Sequence, residues 1–471
     1  MENRKNVSSK LGVVFAAAGS AVGLGNVWRF PTEVGNNGGA AFILVYLFCV
    51  VLIGMPVMLS EFLIGRHTHA NTVSAFAQLA PGRWWRIGGV EGVFVAFLIF
   101  SYYIIISGWT LYYMVESLMG HLLVKQDYTV FFESFVSHPW KPILYAAVFM
   151  LVTHLVIVRG VRSGIERFSK VMMPMLLLII GILVVCSFSM PGSSQGLTFL
   201  LRPDFSRITG SVVLSAMGQA FFSLSLAMGC LCTYASYFSP ETNLPKTVFS
   251  VCAIDTFVAV LSGFIIFPAV YSVEGATVDA GPGLVFQTLP NVFNLAFHSV
   301  PVVGYIFSSL FYMLLILAAL TSAMSLHEPV TAYLLEVTGM SRRAAATWVS
   351  CGCVALSCLC ALSFGLLSDC RLFGMTFFDF FDFISSKFIL PMGGIIISLF
   401  VGWYLDRRMV ESEVTNGGRL RFRFFRAYIF LVRYVVPVAI ASVFVHELIS
   451  KLDVFLSFPM PTGGHCLCWN G

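Results

Sequence analysis

The chain has 471 residues, 58% of them hydrophobic and 11% charged, and a mean hydropathy of +0.86. That composition excludes a soluble globule and indicates a polytopic membrane protein, since each span needs about 20 apolar residues. The net charge of +5 calls for no nucleic acid as partner, because the positive residues are spread over separate loops rather than gathered on one basic surface.

Eleven spans are expected, near 11–34, 38–65, 88–120, 142–158, 167–190, 210–238, 247–273, 300–333, 344–366, 374–404 and 427–449. No cleavable signal peptide is expected, because MENRKNVSSK runs straight into a full-length apolar segment. Lys and Arg fall on alternate loops: Arg4, Lys5 and Lys10 before the first span, Arg66, Arg83 and Arg86 after the second, Arg159, Arg162, Arg167 and Lys170 after the fourth. Lys246, Arg342, Arg343 and the run Arg407, Arg408, Arg419, Arg421, Arg423 and Arg426 continue the series. Positive loops stay in the cytoplasm. The N-terminus is therefore expected inside and, with an odd span count, the C-terminal tail outside.

The first span, LGVVFAAAGSAVGLGNVWRF from Leu11 to Phe30, carries Gly19, Gly23 and Gly25 and closes on Asn26 and Arg29. Glycine weakens a helix by about 1 kcal/mol relative to alanine. Unwound backbone at membrane depth persists only where it is buried in protein or lines a cavity. One reading is a broken helix whose freed carbonyls coordinate a cation and whose freed N–H groups hold a carboxylate. The other is a small-residue face for helix packing.

His67 and His69 sit beside Arg66 and are read as solvated. Most of the 12 cysteines lie within the expected spans, where a thiol behaves as a small hydrophobe, and no disulfide framework is implied. A second interruption follows at 218–238, GQAFFSLSLAMGCLCTYASYF, with Ser223, Ser225 and Gly229 breaking the apolar run five spans after the first. Two broken spans at matching places suggest an internal repeat with a site between its halves. LAALTSAMS at 317–325 adds hydroxyls on adjacent turns, which suit a hard cation as oxygen ligands but also serve as ordinary helix-to-helix hydrogen bonds. Asp255 lies in the apolar run CAIDTFVAVLSGFIIF, and an intramembrane carboxylate is a functional hypothesis by default. At the chain's end His465, Cys466 and Cys468 are too few to make a metal site by themselves.

Taken together, GSAVGLGNVWRFP at 19–31, NNGGAAF at 36–42, PVMLSEFLIGR at 56–66, SYY and GWT within 101–110, GIERFSKVMMP at 164–174, GQAFFSLSL at 218–226, TYASY at 233–237, LTSAMS at 320–325 and SRR at 341–343 resemble the neurotransmitter:sodium symporters, in particular bacterial amino-acid transporters of the leucine-transporter fold. Ending after an eleventh span resembles a bacterial subgroup for hydrophobic and aromatic amino acids. The resemblance implies an all-α polytopic membrane fold, a 5+5 inverted repeat with helices 1 and 6 broken. Its divisions would be an arm at 1–10, repeats at 11–190 and 210–404, an eleventh span at 427–449 and a tail at 450–471. It implies residence in the bacterial inner (plasma) membrane, a small amino acid and the lipid bilayer as partners, and no enzyme activity or catalytic residue. The oligomeric state is left open.

Two sodium ions are implied as co-substrates. The first site (Na1) would take the Ala21 carbonyl, Asn26, Ser223 and Asp255, with the substrate carboxylate as a further ligand. The second (Na2) would take carbonyls of Gly19, Val22 and Ala318 with the hydroxyls of Thr321 and Ser322. The amino-acid carboxylate would meet the Gly25 N–H and the Tyr103 hydroxyl, its ammonium the Ala21, Phe222 and Ser223 carbonyls and Ser225. Leu24, Ile99, Phe222, Met228, Ser322 and Leu326 would line the side-chain pocket, although each is also an ordinary core residue. An outer gate would pair Arg29 with Asp382, with Asp379 as the alternative; an inner one would pair Arg4 with Glu336. Val7 stands where relatives often have tryptophan, and Gly164 with Pro174 resembles the family's unwinding point for sodium release. Asp255 in place of a neutral residue implies transport without chloride and makes proton countertransport on the empty return step an open expectation. The other reading of Asp255 is a structural aspartate bonded to Gln219 or Ser223.

Overall fold

A hydrocarbon layer offers no water to unpaired backbone groups, so a chain this apolar must satisfy them internally, and helices do so within one segment. The computed structural model describes residues 10–124, 127–273 and 283–456, which are helical throughout apart from connections and one isolated bridge between Leu372 and Met375. The principal helices are α1 (Lys10–Ala21), α2 (Gly25–Asn36), α3 (Ala40–Thr68), α4 (Arg86–Leu118), α5 (Lys141–Val158), α6 (Val161–Ser187), α7 (Gly210–Ser223), α8 (Cys230–Ala235), α9 (Leu244–Val270), α10 (Pro301–Thr338), α11 (Arg342–Leu362), α12 (Phe377–Tyr404), α13 (Arg407–Val414) and α14 (Phe425–His446).

Nine of these helices are long and apolar enough to cross a membrane, and α1 with α2, bent by 54° at their break, makes a tenth span. The stretch expected to be a broken span, 210–238, is two helices of 14 and 6 residues, neither long enough to cross alone. The expected count of eleven is thus not met by continuous helices among the described residues. Arg4, Val7, His465, Cys466 and Cys468 lie outside the described residues, as do most of the arm and most of the tail.

The two breaks face one another. α1 packs on α8 and the start of α2 on α7, while α6, α9 and α10 surround α1. The break between α7 and α8, Leu224–Gly229, puts Ser225 at φ 52°, Ala227 at φ 61° and Gly229 at φ 66°. Glycine takes this left-handed backbone freely, but an L-residue with a Cβ pays about 1–2 kcal/mol for it. Side chains from other helices hold the strained turn. Glu61 Oε1 accepts the Ala227 N–H at 2.7 Å, Ser225 Oγ donates to the Ser20 carbonyl at 2.8 Å, and Thr72 Oγ1 donates to the Gly229 carbonyl at 3.0 Å. In α6 a π-helical turn over Val161–Glu166 contains Gly164, and Pro174 sits inside the helix that follows.

On the arginine-rich face a second set of polar contacts fastens the chain. Arg66, buried at the end of α3, donates to Glu413 Oε2 at 2.9 and 2.7 Å, to the Glu413 carbonyl, to the Thr242 carbonyl at 2.6 Å and to Asn416 Oδ1 at 2.9 Å. The short helix α13 is thereby tied to α3 and to the loop before α9. His67 and His69 are exposed, as expected, and each also makes a polar contact: the His67 ring nitrogen lies 3.0 Å from Glu413 Oε1 and that of His69 2.9 Å from the Ser236 carbonyl. Burial pushes the Glu413 carboxyl upward, but the bonds from His67 and Arg66 outweigh it and hold the group below its usual range. A depressed carboxyl stabilises the fold fully above its unfolded value of about 4.5 and loses that contribution as pH falls through the lower folded value. Glu413→Ala is expected to cost roughly 3 kcal/mol by leaving Arg66 buried and unpaired, and to flatten the acid limb of the melting temperature against pH, both measurable by thermal unfolding in detergent.

Candidate functional site

The broken helices line a cavity with about 430 Å³ of space between its walls. All eleven residues expected to bind a substrate line it: Ala21, Leu24, Gly25, Ile99, Tyr103, Phe222, Ser223, Ser225, Met228, Ser322 and Leu326. Ser20, Gly23, Asn26, Cys230 and Ser325 complete the wall, and no Lys, Arg, His, Asp or Glu side chain is in it. The polar groups belong to the two breaks, to Tyr103 on α4 and to α10; the apolar ones come from α4, α7, α10 and the breaks. The break between α1 and α2 fits only because its glycines lack a Cβ. One added at Gly23 would collide with Ser322 Oγ and sit 3.4 Å from the Tyr103 hydroxyl, and one at Gly25 would lie 3.0 Å from the Phe222 ring.

Two oxygen-rich corners adjoin the cavity. In the first, Asn26 Nδ2 donates to Asp255 Oδ1 at 2.7 Å and lies 3.3 Å from Ser223 Oγ, while Ser223 Oγ donates to Asp255 Oδ2 at 2.8 Å. Asn26 Oδ1 accepts the Gly23 N–H at 2.9 Å, tying the corner to the first break. Tyr46 of α3, which sequence reasoning missed, brings its hydroxyl to 3.4 Å from Asp255 Oδ2. Asn26, Ser223, Asp255 and Tyr46 are all at most 2% exposed. Gln219, the alternative partner of Asp255, makes no hydrogen bond through its side chain. In the second corner, Ser322 Oγ donates to the Val22 carbonyl at 3.1 Å and Thr321 Oγ1 lies 3.0 Å from the Ala318 carbonyl and 3.4 Å from that of Val22. A Cβ on Gly19 would be 3.3 Å from Thr321 Cβ, so Gly19 borders the same corner. Carbonyls and hydroxyls without a charged group make a donor set for a hard monovalent cation, and the first corner adds one carboxylate.

Among the described residues the expected outer gate pair is not formed, and the inner pair lies partly outside them, because Arg4 does. The Arg29 guanidinium lies over the Phe222 ring at 4.2 Å, and a cation held on an aromatic face needs no carboxylate. Asp382 instead accepts the Tyr102 hydroxyl at 3.0 Å, and Asp379 pairs with Thr376, the cap of α12: the Thr376 hydroxyl accepts the Asp379 N–H at 3.1 Å and donates to the Asp379 carboxylate at 2.8 Å. Phe222 separates the inner cavity from a second one of about 690 Å³ that reaches Arg29, Glu33, Lys387 and Ala439. Glu336, expected opposite Arg4, accepts the Asn71 N–H at 3.0 Å and the Asn71 side-chain amide at 2.5 Å.

Comparison with known proteins adds three findings. The family model described as "Sodium:neurotransmitter symporter family" matches residues 4–133 and 132–470. The chain is 39% identical to YhdH, an uncharacterized sodium-dependent transporter of Bacillus subtilis (strain 168), over 93% of this chain and 96% of that protein. It is 34% identical to an uncharacterized sodium-dependent transporter of Haemophilus influenzae, over 95% and 99% respectively. The crystal structure of MhsT in complex with L-phenylalanine superposes with a TM-score of 0.86 at 41% identity, covering 94% of this chain and all of that one. Its likeness extends the pairing of broken helices to a leucine-transporter-type inverted repeat. Since Asn26 satisfies a buried carboxylate, Asn26→Ala is expected to destabilise the fold by about 2 kcal/mol, read as a lower melting temperature; the same loss should not follow Asn37→Ala, whose bonds run to Glu33 on the same helix.

Proposed function

Because the chain belongs to the sodium:neurotransmitter symporter family, whose members are sodium-dependent membrane transporters, we propose that it imports hydrophobic L-amino acids, aromatic or large aliphatic, by alternating access. The observation that carries this reading is the wall of the inner cavity: broken-helix backbone and hydroxyls at one end, apolar side chains at the other, and no charged side chain. The Gly25 N–H and the Tyr103 hydroxyl suit the substrate carboxylate, and carbonyls of the breaks suit its ammonium. A side chain bearing charge would be buried unpaired, which is costly. Phenylalanine in the related MhsT agrees with such a pocket. Met228 and Leu326 give the wall adaptable apolar surface.

The reading places sodium at both corners: Ala21, Asn26, Ser223 and Asp255 at the first, Gly19, Val22, Ala318, Thr321 and Ser322 at the second. The substrate carboxylate closes the first shell, which couples solute to ion. Asp255 supplies a fixed negative charge beside that ion, with Ser223 donating to it and the Tyr46 hydroxyl close by. A mobile anion then has no charge left to balance, so transport proceeds without chloride. The arginine-rich face is the cytoplasmic one, by the bias of positive loops, and α7 with α8 counts as one broken span, which brings the total to eleven. The chain then divides into an arm at 1–10, five-span repeats at 11–190 and 210–404, a last span at 427–449 and a tail at 450–471, in the bacterial plasma membrane. Arg29 leaves Phe222 to meet Asp382 when the outer side closes, and Arg4 meets Glu336 when the inner side does.

Three measurements test this. In proteoliposomes, sodium-driven uptake of labelled phenylalanine should be displaced by tryptophan, leucine or methionine and not by lysine, glutamate or glycine; preferential displacement by a charged amino acid would overturn the reading. Replacing chloride by gluconate should leave wild-type uptake unchanged, whereas Asp255→Asn should lose most of it, with chloride restoring a part. Arg29→Ala should bind substrate within about twofold of wild type yet turn over at least about tenfold more slowly, the pattern of a gate rather than a ligand.

A further inference from the structure

Two carboxylates that the cation corners do not use converge beside the break between α7 and α8. Glu61 on α3 is 1% exposed; its Oε1 accepts the Ala227 N–H at 2.7 Å, and its Oε2 has no hydrogen-bond partner. Glu91 stands on α4 five residues after Arg86, roughly 7 Å up the helix from its arginine-rich end. Neither of its carboxyl oxygens reaches solvent or a hydrogen-bond partner. The group packs on Gly393 of α12, where a Cβ would run into both oxygens. One residue further on, a Cβ at Gly92 would lie 3.1 Å from the Gly229 nitrogen. So α4, α12 and the strained break close on one point, and Glu61 bonds to that same break through the Ala227 N–H. The Cys230 thiol on α8 is the further titratable neighbour of Glu61. Among the described residues neither carboxyl group makes an ion pair or a hydrogen bond with a Lys, Arg or His.

An ionised carboxylate with neither a donor nor a counter-charge is among the costliest groups to bury, and of two neighbouring carboxylates one readily takes a proton. Glu61 has a use for its charge, because a charge-assisted bond to Ala227 holds a residue in strained backbone. Glu91 has none. A metal ion would need about six oxygens, and the pair, with one oxygen already committed to Ala227, falls far short. We propose that Glu91 is a proton-binding site distinct from Asp255: it carries one proton while α4, α12 and the break are closed together, and yields it to the arginine-rich side when they part. The step is the loss of one O–H bond to water, with no other bond changed. Proton release leaves a carboxylate that must be hydrated, so an alkaline interior favours the inner side opening and an acidic one keeps it shut. Its part in transport rests on the function proposed above; the proton itself does not.

The test uses the full chain as wild type, Glu91→Gln and Glu91→Met, both neutral, and Asp255→Asn. Infrared difference spectra of the purified proteins should show a carboxylic-acid carbonyl band in wild type that Glu91→Gln and Glu91→Met lose and Asp255→Asn keeps. In proteoliposomes, the rate of sodium-driven uptake should rise with internal pH in wild type and become flat in both Glu91 variants, with sodium-dependent substrate binding retained within about twofold. An unchanged pH response in those variants, or an acid band that survives in them, overturns the proposal. So does failure of both variants to fold, since neutral replacements should be tolerated where the native group is neutral. Stabilisation of wild type by calcium or magnesium that Glu91→Gln abolishes would make the pair a cation site instead. Should no amino acid be transported at all, the function proposed above fails while the infrared band still decides the proton site.

Discussion

The structure hangs on a buried polar knot. Asn26 at the start of α2, Ser223 at the end of α7 and Asp255 in the middle of α9 meet through bonds of 2.7 and 2.8 Å, all at most 2% exposed. Each partner alone would be an expensive group to put inside a membrane protein. Joined, they satisfy one another and fix both broken helices to the unbroken α9. The Gly23 N–H, which a continuous helix would use internally, goes to Asn26 Oδ1 instead. The knot thus solves two problems at once: it repairs backbone freed by the first break, and it leaves carbonyls and hydroxyls aimed at the space between the breaks.

That space is narrow because small residues let the backbones approach. Gly23 and Gly25 admit Ser322, Tyr103 and Phe222 to distances that a Cβ would forbid, so the glycines, which cost helix stability, are the condition for a closed cavity rather than a defect. The second break is held otherwise. Ser225 and Ala227 carry side chains at positive φ, and the strain is offset by bonds from Glu61, Thr72 and Ser20 on other elements. The first break too is held by other helices, through Ser322 and Thr321 on the Val22 carbonyl and Tyr103 on the Leu24 N–H, so both halves of the cavity wall depend on the elements around them.

Much of this was legible in the sequence, and the reasons are physical. A glycine triplet ending in Asn and Arg, and a hydroxyl-rich interruption five spans later, are departures from a plain apolar helix that local composition displays directly. Residues on those stretches were assigned to one cavity and the structure gathers them there. What stayed hidden depends on pairing between distant segments. Tyr46 looks like an ordinary span tyrosine until it is seen 3.4 Å from Asp255. His67 and His69 lie in a loop rich in arginine, and nothing near them in sequence shows that Glu413 and the Ser236 carbonyl will be their neighbours. The Arg29 and Asp382 pair was implied by the family resemblance, yet in this structure each has another partner, Phe222 and Tyr102, that neither residue's sequence neighbourhood shows. The interruption expected within 218–238 is found at Leu224–Gly229, although composition showed only that the span breaks there and not the left-handed backbone at Ser225 and Ala227.

Arg29 shows how the two cavities are related. Its guanidinium rests on the face of Phe222 at 4.2 Å, and the same ring forms part of the wall of both cavities. A cation–π contact is worth about 1 kcal/mol at a partly exposed site, much less than a desolvated ion pair would exert on either partner. The ring is thus kept in place by an interaction weak enough to exchange, while a Cβ on Gly25 would lie 3.0 Å from it, so only glycine there admits the ring against the first break. Phe222 is therefore positioned by a contact on each side, the Arg29 guanidinium from the outer cavity and the Cβ-free backbone of Gly25 from the inner one.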